Sequence, residues 1–413
     1  MKVLKPTSRK GKIVFDETIN PNKEVGMKYH NTIFNQLLNM LPRDRFEQEV
    51  IRTQANRYTK HFTAWNQLLV NLYAQVSGKK SLRDIETGLK MQHNSWYHLG
   101  LTNAVRSTIS YANNKRPYQI AESTFYHLLG KCKDVTPKHK FRFKNSLYTL
   151  DATVIDLCLS MFPWAKFRKR KGALKIHTLL DHRGTIPSFM VITDAKQHEV
   201  KVGQNLFLPV SLDSIITVDK AYVDFQWLYG LKQRGIYFVT RAKKTMNYRV
   251  VGQQEVNSGK GLLADKEIKL TGFYSCQKYP EKLRMVTYHD SEHDKTYQFL
   301  TNNFHLSAYT IAQIYKARWQ VELFFKWIKQ NLKIKTFLGT SKNAVLTQIW
   351  TAMIYYLLLA YIKYQTKYKH SLLYLTRVIK ECLFRRADII DLLNLSLEKA
   401  GRERAPCYEP TLF

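Results

Sequence analysis

The sequence predicts a mixed α/β chain with helical regions at both ends, and three observations carry that prediction. Residues 30–116 place apolar side chains at three- and four-residue spacing, the period of one helix face. From residue 145 short apolar or alternating runs follow one another quickly, parted by turn residues. From about residue 307 the helical spacing returns.

Residues 1–28 are basic and polar and form an expected mobile N-terminus. Residues 29–140 read as a helical domain. HNTIFNQLLNML, RFEQEVIRTQ and FTAWNQLLVNLYAQV are its first helices, and SLRDIETGLK and STISYANNKR follow. Ser107 is expected to cap the last of these and Pro117 to stop it. Residues 141–345 form the α/β core. NSLYTLD, ALKIHTLLD and TIPSFMVIT succeed each other across tight turns, which predicts antiparallel pairing. SIITVD, the helical VDFQWLYGLKQRG and IYFVTR then make a strand–helix–strand unit, a parallel crossover. Residues 243–302 hold four short strands and read as a separate β-rich insertion. Residues 346–413 are a C-terminal helical region.

The chain has 413 residues, of which 45% are hydrophobic, enough for a real core of more than one structural unit. Lys and Arg number 65 against 32 acids, a balance of +33. Charge of that size costs self-repulsion and attracts polyanions, so nucleic acid is the leading partner, ahead of an anionic membrane surface. The longest apolar run, AMIYYLLLAYI, is too short to span a bilayer and reads as a buried helix. No secretory leader is evident and the five cysteines form no CxxC pair, so a disulfide framework and a structural zinc site are both unsupported. A reduced, cytoplasmic protein is expected. Within the helical domain, the short helix ending Asn-Asn-Lys-Arg suits a DNA groove as the second helix of a helix-turn-helix, and an ordinary surface helix fits the same pattern.

The chemistry concentrates in YKARWQVELFFKWIK, residues 315–329. On one continuous helix Tyr315, Arg318, Glu322 and Lys329 fall within an arc of roughly 60°, with Lys326 beside them. Apolar residues cover most of the rest, so the polar stripe must face a cleft or a partner. One acid among cations suits phosphoryl transfer, with cations on DNA phosphates and the carboxylate on a divalent metal. A plain i,i+4 ion pair of Arg318 with Glu322 explains the same residues without chemistry. A lone carboxylate binds metal weakly. Asp151 at the end of NSLYTLD and Asp219 at the end of SIITVD are its candidate companions, since acids at the ends of apolar strands are locally unfavourable.

The pattern Tyr315-x2-Arg318-x3-Glu322-x6-Lys329, with Asp151 in LDAT and Asp219 in VDKAYVD, resembles the insertion-sequence DDE transposases called the YREK, or IS-four, group. SLRDIETGL and STISYANNKR are similar to recurring phrases of that group's helical DNA-binding domain. Lys220 stands where an Arg is common. The resemblance implies an RNase H-like fold with Asp151, Asp219 and Glu322 as catalytic metal ligands for two Mg2+ ions, Mn2+ being able to substitute. It implies cut-and-paste transposition at terminal inverted repeats through hairpin ends, on double-stranded DNA, by a homodimer in a bacterial, nucleoid-associated setting. Tyr315, Arg318 and Lys329 would hold phosphates near the cut. Two rivals remain: a catalytically inactive DNA-binding protein derived from such an enzyme, and a general nuclease.

Other residues read as structural. Asp156, at an odd offset from Asp151, faces the other side of a continuing strand. Asp181, Asp194 and Asp224 sit at turns or on a helix surface. The run His289 to Asp294 is a solvated hairpin loop. Arg168, Lys169 and Arg170 form a basic run suited to DNA backbone contact. Trp319 and Trp327 read as core.

Overall fold

The computed structural model describes residues 31–168, 171–195, 208–256, 260–332 and 337–394. The basic stretch 1–28, residues Lys169 and Arg170, the side chains of Arg168 and Asp194, and the tail beyond 394 lie outside the described residues.

Seven helices open the described chain: α1 (Ile33–Asn39), α2 (Arg43–Arg52), α3 (Ala64–Ser77), α4 (Leu82–Lys90), α5 (Trp96–Leu99), α6 (Arg106–Lys115) and α7 (Gln119–Val135). Hydroxyl caps start several of them. Thr63 and Asn66 form a reciprocal capping box on α3, and Ser81 accepts from Asp84 N on α4. The expected cap at Ser107 is corrected. Helix α6 begins at Arg106 after Val105 and has no side-chain cap. The reading of its Asn-Asn-Lys-Arg end as a DNA surface is also narrowed. Asn113 is buried against Gln67 and Asn71, both at 2.9 Å, and Arg116 is held by the carbonyls of Ala55, Phe62 and Thr63. Arg106, Ser107, Thr108, Tyr111 and Lys115 remain on the exposed side.

The strands form one sheet in the order β2-β3-β1-β5-β6-β10-β9-β8-β7, with β4 also paired to β3. They are β1 (Leu147–Leu157), β2 (Lys166–Arg168), β3 (Lys171–Asp181), β4 (Ile186–Asp194), β5 (Ile215–Val218), β6 (Tyr237–Arg241), β7 (Tyr248–Gln254), β8 (Leu262–Leu270), β9 (Leu283–Asp290) and β10 (Lys295–Thr301). Strands β1, β3 and β4 are antiparallel, and β5 and β6 run parallel to β1. The crossover between β5 and β6 is α8 (Phe225–Gln233), capped by Asp224. Two expectations change here. Asp151 lies in the middle of β1 rather than at its end. The four strands of 243–302 do not stand apart, because β10 pairs antiparallel with β6 and carries the sheet onward.

Pleating sorts the core to the two faces. Tyr148, Leu150, Ile216, Val218 and Phe238 pack with Trp227, Leu228 and Leu231 of α8. On the other face Leu147, Ile215, Val239 and Phe299 pack with Ile311, Ile314 and Tyr315. Helix α9 (Phe273–Lys278) joins β8 to β9, and α10 (Ala308–Ala317) and α11 (Trp319–Asn331) follow β10. Arg284 on β9 fixes where α10 starts. It pairs with Asp265 on β8 at 2.7 Å and donates to the Asn303 carbonyl, both buried, and to the half-buried Leu306 carbonyl.

Helix α12 (Lys342–Gln365) contains the apolar run and is buried almost all round. It is long and apolar enough to cross a membrane, but 89% of its apolar window is buried within the protein, so it is a core helix here. The opening helices pack on it together with α13 (Leu372–Glu381) and α14 (Ile389–Asn394). Phe34 N bonds to Leu383 O at 2.8 Å, so the two terminal helical regions share one core.

Candidate active site

Strands β1 and β5 set two acids side by side. Their register pairs Leu150 with Val218, so Asp151 and Asp219 are the next residues along on each strand path. Neighbouring strands lie about 4.8 Å apart, so the two carboxylates leave the sheet close together. Asp151 Oδ1 accepts from Ala152 N at 2.8 Å, and Asp219 Oδ1 accepts from Lys220 N at 2.7 Å, which orients each group.

The third acid arrives on a broken helix. The one continuous helix expected over 315–329 is two helices, α10 and α11, which meet at Arg318. At the junction Arg318 N bonds to Tyr315 O and Val321 N to Arg318 O, three-residue steps that tighten the turn. The break puts Tyr315 on one helix and Glu322 on the next, and Arg318 between them.

Arg318 ties the site together. Its Nη1 donates to Asp151 Oδ2 at 3.0 Å and its Nη2 to Glu322 Oε1 at 2.6 Å. The Tyr315 hydroxyl donates to Asp219 Oδ1 at 3.4 Å. Side-chain exposures of 14% for Arg318, 16% for Asp151 and 35% for Glu322 describe a recess open on the Glu322 side. Burial works against the Arg318 charge. Tyr315, the hydrogen bond to Glu322 and the charges of Asp151 and Glu322 outweigh it and raise the guanidinium above its ordinary value. Burial pushes the Tyr315 phenol up to about 12, so it remains a hydrogen-bond donor at neutral pH. Tyr315 is seated by Phe299, ring to ring at 4.8 Å.

The remaining candidates divide. Lys329 is half-buried and Lys326 is exposed, both on α11. Trp327 packs on Tyr356 at 5.2 Å, as a core residue should. Trp319 does not; it is 57% exposed and corrects that expectation, because the helix break turns it outward. Asp156 is exposed, Asp224 caps α8, and Asp181 is buried in a pair with Arg183 at 2.8 Å. Of the His289 to Asp294 run, His289 and Asp290 are still paired on β9 and residues 291–294 make the hairpin turn to β10. The donor atoms of Asp290, Glu292 and His293 lie within 4.8 Å of one another, but Lys316 already pairs with Glu292 at 2.9 Å.

A cleft of about 460 Å3 opens beside the α10–α11 junction, lined by Lys138, His139, Lys140, Lys316, Trp319 and Gln320 among others. Its basic wall was missed in the sequence. The signal was there in KHKFRFK, residues 138–144, where cations alternate with aromatic rings.

Asp151 and Glu322 on one guanidinium, with Asp219 on the Tyr315 hydroxyl of the same helix junction, offer carboxylate oxygens of the kind that hard divalent cations take. That a guanidinium already bridges two of them indicates a place where a cation fits.

Residues 142–358 match the family described as Transposase DDE domain, and residues 29–102 match a domain of unknown function, DUF4372. A putative transposase, y4zB, of Sinorhizobium fredii is 33% identical over 304 residues, 73% of this chain and 80% of the relative. A probable transposase for insertion sequence element IS5377 of Geobacillus stearothermophilus is 29% identical over 276 residues, 65% of this chain and 70% of the relative. The chain is also similar to the piggyBac transposase in its synaptic complex with hairpin DNA, with 10% identity, a TM-score of 0.45, and coverage of 92% of this chain and 82% of that one.

Proposed function

This chain belongs to the Transposase DDE domain family and is a DNA-cleaving transposase, and from that premise we propose that it moves an insertion sequence by cut-and-paste chemistry at terminal inverted repeats. We assign Asp151, Asp219 and Glu322 as the catalytic set. The observation that carries the assignment is the single Arg318 side chain bonded to both Asp151 and Glu322, with Tyr315 of the same junction on Asp219.

The three acids would hold two Mg2+ ions, with Mn2+ able to substitute. When bound, the ions would activate a water for attack on the phosphodiester and balance charge on the leaving oxygen. The other roles fall to the chain. Tyr315, Arg318, Lys329 and Lys326 would hold phosphates on either side of the cut, and Arg168, Lys169 and Arg170 would add contacts to the DNA backbone. The first cut frees a 3′-hydroxyl. Attack of that hydroxyl on the opposite strand closes a hairpin, and reopening prepares the end for the target DNA. Spacing of Tyr315, Arg318, Glu322 and Lys329 supports membership of the YREK group. An RNase H-like core is supported by the order β4-β3-β1-β5-β6 and its change from antiparallel to parallel pairing at β1. The helical domain would grip the transposon ends, and a homodimer in the bacterial nucleoid would pair them.

The test is product analysis. Purified full-length protein, Mg2+ and linear DNA bearing the repeats that flank the gene are incubated, and the ends are resolved on a denaturing gel. Hairpin-closed flank or transposon ends are expected. Cleaved ends without any hairpin would reject this route while leaving the cleavage assignment standing.

A further inference from the structure

Beneath the three acids runs a buried line of side chains that the chemistry above does not use. Thr149 on β1 is fully buried, two residues before Asp151 on the same strand face. Thr217 on β5 is fully buried, two residues before Asp219. The two hydroxyls are 2.6 Å apart. His182, at the turn after β3, places Nε2 2.7 Å from Thr149 Oγ1. Gln320 on α11, two residues before Glu322, lines the same cleft as His182 and favours its charged form.

Counting hydrogens gives the line a direction. A Thr hydroxyl has one hydrogen to donate. Thr217 donates its hydrogen to the Tyr148 carbonyl at 3.1 Å. The hydrogen between the two threonines must therefore come from Thr149. With that hydrogen spent, the 2.7 Å contact needs a hydrogen from His182 Nε2. Burial drives the His182 pKa down to about 4, against a partly opposing Asp181 charge, so the ring is neutral at pH 7.

We propose that His182 is a positioning residue that locks together the three elements carrying Asp151, Asp219 and Glu322, through Thr149, Thr217 and Gln320. The proposal rests on the reading of those acids as the catalytic set. β1 and β5 are already registered by backbone pairing, but α11 has no ladder to the sheet, so a side-chain link is what fixes the height of Glu322 over the two aspartates. Misplacing a catalytic group by about 1 Å costs on the order of 100-fold in rate.

Two measurements on the full chain test this. The first is the 15N spectrum of histidine-labelled wild type at pH 7, with the His182 signal identified by its loss in His182→Phe. A neutral ring protonated on Nε2 is expected, and a ring protonated on Nδ1 or on both nitrogens overturns the proposal. That readout needs no catalysis, and His182→Gln identifies the signal if His182→Phe does not fold. The second compares cleavage by His182→Phe and His182→Gln. Phe keeps the ring and removes its hydrogen bonding, whereas Gln restores a donor near the Nε2 position. His182→Phe should lose roughly 10- to 100-fold in kcat with KM for end DNA within about twofold, and His182→Gln should recover most of that loss. Wild-type rates in both variants, or equal losses in both, overturn the proposal. Absence of cutting by the wild type would instead sink the catalytic reading, and with it the purpose given to His182. The spectrum would still report whether the hydrogen-bond line runs as drawn.

Discussion

Arg318 stands with Nη1 3.0 Å from Asp151 Oδ2 although 167 positions separate the two residues in the chain. The contact joins a helix break to the central strand. It also helps to hold Glu322 near the aspartates, since the other arm of the same guanidinium reaches Glu322 at 2.6 Å.

Removing that guanidinium leaves Asp151 and Glu322 without their shared countercharge. Arg318→Ala should therefore lower stability without metal by about 1–3 kcal/mol, the range for a lost hydrogen bond to a charged group. Added Mg2+ should then raise the melting temperature more in the variant than in the wild type, because the freed oxygens face less competition. Thermal melts with and without Mg2+ check this, and an equal rise in both proteins would count against a cation site at these acids.

The pair Arg284–Asp265 is buried, with side-chain exposures of 3% and 5%. Asp265→Ala strands the guanidinium, and breaking a buried pair this way costs about 3–5 kcal/mol. Urea unfolding should report that loss. A loss under about 1 kcal/mol would mean that the carbonyls of Asn303 and Leu306 suffice to hold Arg284.

Acid should weaken the fold before the carboxylates titrate. Burial lowers His177 and His182 each to about 4 from an ordinary 6.5. The unfolded chain then binds more protons than the native one between those values. Stability is unaffected above about 6.5 and falls as pH drops through the window toward 4, by about 2 kcal/mol per histidine between pH 7 and 5. The urea midpoint at pH 5 should lie below that at pH 7, and His182→Gln should narrow the gap. Identical midpoints for the wild type would contradict the burial argument.

Lys326 is exposed beside the recess and is proposed to meet a phosphate. Lys326→Ala should weaken binding to any DNA sequence and reduce the slope of log affinity against log salt by about one. Filter binding or anisotropy across a salt series measures the slope. An unchanged slope would take Lys326 off the DNA.

Much of this was legible in the residues. The strand–helix–strand unit at 214–241, the antiparallel run before it and the buried helix around AMIYYLLLAYI follow from period, length and turn residues, and all three are present. The break at Arg318 was not legible. Every residue from Tyr315 to Lys329 suits a helix, and the tight turn is bought by tertiary bonds to Asp151 and Glu322 that local spacing does not contain. The same break exposes Trp319. Strand β1 ran past its expected end because Thr153, Ile155 and Leu157 continue an alternation that the acid at 151 interrupts only in polarity. The join of β10 to β6 depends on a partner sixty residues away, which no local pattern encodes. The threonine–histidine line was invisible for the same reason. Thr149, Thr217, His182 and Gln320 become a set only when the sheet and α11 meet.

The central claim is that Asp151, Asp219 and Glu322 act as one metal-dependent set. The most direct measurement is Mg2+-dependent cleavage of DNA carrying the flanking repeats, with wild type and Glu322→Gln side by side at matched DNA binding. The account predicts cutting at the repeat ends by the wild type and none by Glu322→Gln, which keeps the shape and removes the charge. Equal cutting by both proteins would contradict it and return Glu322 to the role of a simple partner for Arg318.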